Sequence, residues 1–376
     1  MKTVHQHPLE EILEHRIAII DGAMGTTIRT YGMTEVDIRG DRFQHSTKDL
    51  LNNGDLFSLT QPKMIGDIHR RFLEAGADII ETNTFGATSI TQSEFFVDDP
   101  REHGGRKDPE FYQKIIEDAS LNELAWDINY TSSQQCREWA DRIANDTGRQ
   151  RFVAGAIGPL TVSLSNSPDA DDAGFRVVTF DQVKTAYAQQ VRALIAGGVD
   201  LLLVETIFDS LNAKAALVAI REVVDQDGLT AAGKELPVMI SAAVGRGGET
   251  LISAQTTEAF WNAVKHVNPL SVGLNCSLGP DLMYPFLSEL SEKADVAISC
   301  YPNAGLPNPL SETGFDLGPD DMARFLGDFA RAGLINIAGG CCGNTPEHIA
   351  AIARALEGRH PRELAQRKLG HREVAA

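Results

Sequence analysis

No stretch of this 376-residue chain approaches the roughly 18 uncharged apolar residues that a membrane-spanning helix needs. The N-terminal MKTVHQHPLEEILEHR lacks the apolar core of a secretory leader, so a cytoplasmic location is expected. Basic residues are scarce: 34 Lys and Arg face 52 Asp and Glu, for a formal net charge of −18. No basic stripe offsets that field, which argues against nucleic acid or an anionic membrane as partner. Cysteine is scarce too, with only Cys136, Cys276, Cys300, Cys341 and Cys342. An odd count in a long chain without a leader does not make a disulfide framework. These thiols are therefore core fillers, metal ligands or nucleophiles. Lysine is missing from every candidate strand, which speaks against a Schiff-base aldolase.

What is present is a series of short apolar runs, each followed by a helical pattern. Eight read as strands: 17–26, 77–85, 152–160, 199–208, 236–244, 270–278, 296–305 and 334–342. Most are continuous rather than alternating, as expected for parallel strands covered on both faces. The segment after the third carries Val183, Tyr187, Val191 and Leu194 at helical spacing and stops at Gly197-Gly198. TTEAFWNAVKHV is expected to start with Thr257 as its cap, and GNTPEHIAAIARALEG with Thr345 as cap and Pro346 as first helical residue. LEAGADIIETNTF (73–85) and IAGGVDLLLVETIF (195–208) echo each other, as repeated strand–helix units do. Eight such units predict an α/β fold, a (β/α)8 TIM barrel over residues 10–360, with a polar tail at 361–376. Region 86–151 is the least regular, with the charged, Gly- and Pro-containing FFVDDPREHGGRKDPEF, and reads as an insertion after strand 2, an exposed loop or small subelement.

In such barrels the chemistry gathers at the C-terminal ends of the strands. Cys276 ends candidate strand 6, and Cys341-Cys342 end candidate strand 8. Three thiolates there would give Zn²⁺ three protein ligands and one open position, the pattern of a catalytic site. Gly339, Gly340 and Gly343 then allow the dihedrals that turn two neighbouring thiols onto one metal. Cys136 and Cys300 read as buried core residues. Asp21 and Glu205 are candidates to hold a substrate ammonium, against readings as a turn residue and a structural ion pair. Glu81, the echo of Glu205, stands open between support and structure. The turn Gly22, Ala23, Met24, Gly25, Thr26 offers backbone N–H groups to a carboxylate. Asn303 reads either as an amide facing the open metal position or as a turn residue.

GLNCSLGP, GGCCGNTPEH, DGAMGT, LTQP, ETNTFGAT, VETIFDSLNAKAA and PNAGLPN together resemble the zinc-dependent homocysteine S-methyltransferases, over about residues 10–360. The finer similarity is to the N-terminal module of cobalamin-dependent methionine synthases. The resemblance implies a transferase of methionine biosynthesis, with homocysteine sulfur as the fourth zinc ligand and methylcobalamin as methyl donor. It also implies that Asn303 fills the open zinc position before substrate binds. The cobalamin signature Asp-x-His-x-x-Gly is missing; DIHRRF (67–72) lacks its glycine. The donor is therefore expected on a separate cobalamin- and folate-binding methionine synthase subunit, and GHREVAA is expected to be a natural end. Direct use of S-methylmethionine or another small donor is one alternative, and a non-catalytic zinc- or homocysteine-binding subunit is another.

Overall fold

The computed structural model describes residues 7–226, 236–311 and 313–364. Among these, eight parallel strands pair in the order β1-β8-β7-β6-β5-β4-β3-β2. They are β1 (Ala18–Ile19), β2 (Ile79–Glu81), β3 (Phe152–Ile157), β4 (Leu201–Ile207), β5 (Val238–Ala242), β6 (Ser271–Asn275), β7 (Ala297–Tyr301) and β8 (Ile337–Ala338). A parallel bridge between Ile20 and Ile79, with Asp21 N–H donating to the Ile79 carbonyl, closes the barrel. Every expected strand lies inside its predicted run. No described helix is long and apolar enough to cross a membrane.

Alternation along the strands separates two cores. Ala18, Ile79, Phe152, Leu201, Leu203, Met239, Ala297 and Ile337 pack inside the barrel. Their neighbours, such as Ile19, Ile80, Val153, Leu202, Ile240, Val272 and Ile298, face the surrounding helices. The helix Pro8–His15 lies at the N-terminal end of the strands and inserts Leu9 and Leu13 into the inner core. Arg16 anchors it by a two-pronged bond to buried Asp78, at 2.7 and 2.9 Å. On the same side of the barrel, the Arg362 guanidinium donates to the carbonyls of Ser291, Ala294 and Val296. Residues 365–376 of the expected tail lie outside the described residues.

Region 86–151 is not irregular. It forms helices at Ser89–Phe96 and Pro109–Glu117, then a 29-residue helix at Ala119–Thr147, the β2-to-β3 crossover. Its buried face mixes Leu121, Leu124, Ile128, Ala140 and Ile143 with Asn129, Ser132, Ser133 and Cys136. Two of those polar residues reach beyond the helix: Asn129 Nδ2 donates to the Ala87 carbonyl, and Ser132 Oγ accepts from Asn83 N–H. A half-polar inner face hides helical periodicity from a reading based on apolar spacing. Elsewhere Thr256, not Thr257, caps Thr257–Val264, since its hydroxyl accepts from Ala259 N–H. Thr345 and Pro346 start the last helix as expected.

Candidate active site

Cys276 follows β6, and Cys341 and Cys342 follow β8; β7 lies between them in the sheet. Their sulfurs all lie within 4.8 Å of one another. Cys276 Sγ and Cys342 Sγ are 3.8 Å apart. Sulfurs at two corners of a tetrahedron with Zn–S near 2.3 Å stand roughly 3.8 Å apart, so this donor set fits that ion. Cys136 and Cys300 are fully buried elsewhere, Cys136 against His69 Nε2 at 3.2 Å and Cys300 against the Met283 sulfur at 3.7 Å.

The three thiols titrate as one set. Hydrogen bonds from Cys276 and Cys341 hold Cys342 as a thiolate, pulled down to about 3, and nearby Arg29 assists. Cys341 is pushed far up by its bonds to Cys276 and Cys342 and by burial. Cys276 is pulled down by Cys341, yet Cys342 and burial leave it at about 12. A single charge is thus comfortable without a cation. Three require one.

The claw is shaped differently from its expected glycine hinge. Only Gly343 takes a left-handed conformation, at φ +83°. Gly339 and Gly340 are needed for space instead. A Cβ on Gly339 would sit 2.4 Å from the Ile20 carbonyl oxygen, and one on Gly340 2.1 Å from the Asn344 Cγ. Asn344 clamps the turn: its Nδ2 donates to the carbonyls of Pro302 and Cys341 at 3.0 Å, and its own carbonyl accepts from Ala23 N–H. The left-handed strain falls on non-glycine residues, at Cys276 (φ +57°), Ser277 (φ +50°) and Thr206 (φ +53°). Such outliers cost on the order of 1–3 kcal/mol each and gather at functional sites.

Asp21, after β1, and Glu205, on β4, are both buried, and Glu81 on β2 is half-buried beside them. Asp21 Oδ2 accepts from Glu81 N–H at 3.0 Å, while its Oδ1 has no partner among the described residues. Glu81 and Glu205 share a side-chain hydrogen bond. Burial pushes the Asp21 carboxyl well up, against the Glu81 N–H bond, and Glu205 adds repulsion. Burial likewise raises Glu81, with Glu205 and Asp21 adding to it. Glu205 is lifted to about 7 by burial, opposed by hydrogen bonds from Glu81 and Thr206. A cluster held in this way gains from any cation that enters it.

Gly22 and Ala23 lead into a short helix, Met24–Thr30, so Met24, Gly25 and Thr26 form its first turn rather than a free loop. No side-chain cap hydrogen bond closes that turn at Ala23. Thr26 Oγ1 accepts from Gly343 N–H at 3.0 Å, tying the turn to the cysteine loop. Gly22 has no room for a side chain, since a Cβ would meet the Asn344 carbonyl oxygen at 2.6 Å. Asn303 is buried, its backbone N–H bonds to the Leu278 carbonyl, and its Oδ1 has no partner among the described residues.

Two residues that the sequence left without a role stand out. β4 carries one extra residue against β5 between Val204 and Ile207, a bulge at Glu205-Thr206. Asn275 at the end of β6 holds it: its Oδ1 accepts from Thr206 N–H at 3.1 Å, and its Nδ2 donates to Thr206 Oγ1 at 2.8 Å. The pattern GLNC displayed Asn275, but only the bulge reveals what it meets.

The chain compares closely with known proteins. A sequence profile described as homocysteine S-methyltransferase matches residues 18–356. The metallated form of the homocysteine methyltransferase MmuM from Escherichia coli superposes with a TM-score of 0.64 at 19% identity, covering 92% of this chain and 99% of that one. Its oxidized form gives 0.61 at 19% identity, over 90% and 95%. At that identity the superpositions speak for the fold.

Proposed function

The chain belongs to the homocysteine S-methyltransferase family and is a methyltransferase acting on homocysteine; on that premise we propose that it works with zinc and takes its methyl from methylcobalamin presented by a separate subunit, making methionine. The observation that carries the metal reading is the trio of sulfurs within 4.8 Å at the mouth of the barrel. Cys276, Cys341 and Cys342 are the residues that hold zinc. When bound, zinc supplies a fourth position for the substrate sulfur and stabilises it deprotonated at neutral pH.

The protein's own groups do the rest. Asp21 and Glu205 receive the α-ammonium, whose positive charge relieves their crowding. The uncapped amides of Met24, Gly25 and Thr26, with Gly22 and Ala23 leading in, receive the α-carboxylate. Asn303 Oδ1, buried and unpartnered among the described residues, supports its expected place at the open metal position. The sulfur, held at one end by the claw and oriented at the other by the acids, attacks the donor methyl in line. One S–C bond forms as the bond from methyl to donor breaks. The choice of methylcobalamin rests on the motif resemblance, DGAMGT through GGCCGNTP.

The test is metal content and donor use on one anaerobic preparation. About one zinc per chain, lost in Cys342→Ala, with methionine formed from methylcobalamin, is the expected result. Turnover on S-methylmethionine alone would move the chain to a small-donor enzyme. Wild-type protein without zinc would overturn the claw.

A further inference from the structure

The two halves of the substrate site are built on different strands, yet one side chain joins them. Glu205 sits on the bulge of β4, and Cys276 follows β6. β5 lies between those strands but ends at Ala242. Asn275, fully buried, reaches over it. It satisfies both polar groups of Thr206, and its Nδ2 also approaches Glu205 Oε2 at 3.4 Å. Thr206 is β-branched at φ +53°, where such residues are strained and need restraint. The residue after Asn275 is Cys276, itself left-handed, whose N–H bonds to the Tyr301 carbonyl at 3.3 Å and whose carbonyl accepts from Leu278 N–H at 2.6 Å. Two strained turns, one bearing a carboxylate and one bearing a sulfur, are therefore locked to each other through a single amide.

We propose that Asn275 is the positioning residue that sets the span between Glu205, proposed to bind the ammonium, and Cys276, proposed to hold the zinc, and so selects homocysteine over thiol amino acids of other chain length. This rests on the proposed roles of Glu205 and the cysteine trio. An α-amino acid thiol spans its two anchors through a fixed number of methylenes. One methylene more or fewer must then be rejected by the rigidity of the anchors, and rejection of that kind is worth about 10- to 200-fold. Removing the Asn275 amide leaves the buried Thr206 N–H without its partner and leaves the Thr206 hydroxyl only its bond to Glu205. It also frees the bulge to relax, which moves Glu205 relative to Cys276.

The test compares wild type, Asn275→Ala, Thr206→Gly and the double variant. The readouts are homocysteine binding by calorimetry, KM and kcat, zinc per chain, and the ratio of homocysteine to cysteine affinity. Asn275→Ala is expected to weaken homocysteine binding and raise KM about tenfold or more, to change kcat at saturation less than threefold, and to keep its zinc. Its preference for homocysteine over cysteine should narrow by a similar factor. Thr206→Gly removes the strain that Asn275 restrains, so the two losses should not add in the double variant. A folded Asn275→Ala with unchanged preference overturns the inference, whether or not it keeps zinc. Strictly additive losses also count against it. Wild-type protein that holds zinc but binds no homocysteine would overturn the substrate reading beneath, and this inference with it.

Discussion

Asn344 shows how much a single side chain can decide. Vicinal thiols cannot face one point from an extended strand, because successive side chains alternate. Here the backbone folds back as Asn344 N–H bonds to the Cys341 carbonyl, and the side-chain amide then ties the fold-back to the end of β7 through Pro302, while the Asn344 backbone carbonyl accepts from Ala23 N–H before the helix Met24–Thr30. Asn344→Ala should keep the barrel but loosen the claw. We expect zinc to pass to a competing chelator about tenfold faster or more in that variant, as followed by the absorbance of a zinc indicator, with the melting temperature of the metal-free protein little changed. Equal transfer rates would remove Asn344 from this role. The convergence of the thiols was legible in the sequence: Cys276, Cys341 and Cys342 come together as expected. Asn344 and Asn275 were not, because an asparagine in a turn reads the same whether it closes a local bend or reaches another strand. The glycines were legible as necessary, but for the wrong reason at Gly339 and Gly340, where crowding by Ile20 and Asn344 leaves no room.

Among the elements, strands were more readable than loops. Continuous apolar runs ending in polar residues placed all eight strands, since a strand covered on both faces has little choice of composition. The long helix Ala119–Thr147 escaped because its inner face carries Asn129, Ser132 and Ser133; Asn129 and Ser132 reach residues outside the helix, and Ser133 bonds back to the Asn129 carbonyl. The segments after β1 and β2 are joined in the same hidden manner. Asn83 Nδ2 donates to the Gly54 carbonyl, and buried Asp55 accepts from Gly86 N–H at 2.8 Å. Burial lifts the Asp55 carboxyl to about 7, against that hydrogen bond. A carboxyl raised in the folded state favours folding fully below its ordinary value near 4, and that contribution is lost as pH rises through 7. Wild type should therefore lose stability relative to Asp55→Asn between about pH 4 and 7, by at most about 1.4 kcal/mol per unit. Denaturant unfolding of both proteins across that window checks it; parallel curves would mean Asp55 is already ionised in the fold.

At the scale of the whole molecule, the described residues fill the barrel at one end and carry the candidate site at the other. Leu9 and Leu13 fill the barrel from its N-terminal end, and the Arg16–Asp78 pair fastens that helix in place. The cysteine trio and the buried acid cluster lie at the other end. A donor large enough to cover that mouth shuts in whatever lies beneath it. On the proposed reading with a protein-borne donor, turnover takes a compulsory order: the amino acid enters first and the donor second, and the spent donor leaves before methionine can. Steady-state inhibition should show it, with methionine competing against homocysteine but not against a protein-borne donor. A stationary plug at one end of a barrel thus acts as a clock for traffic at the other.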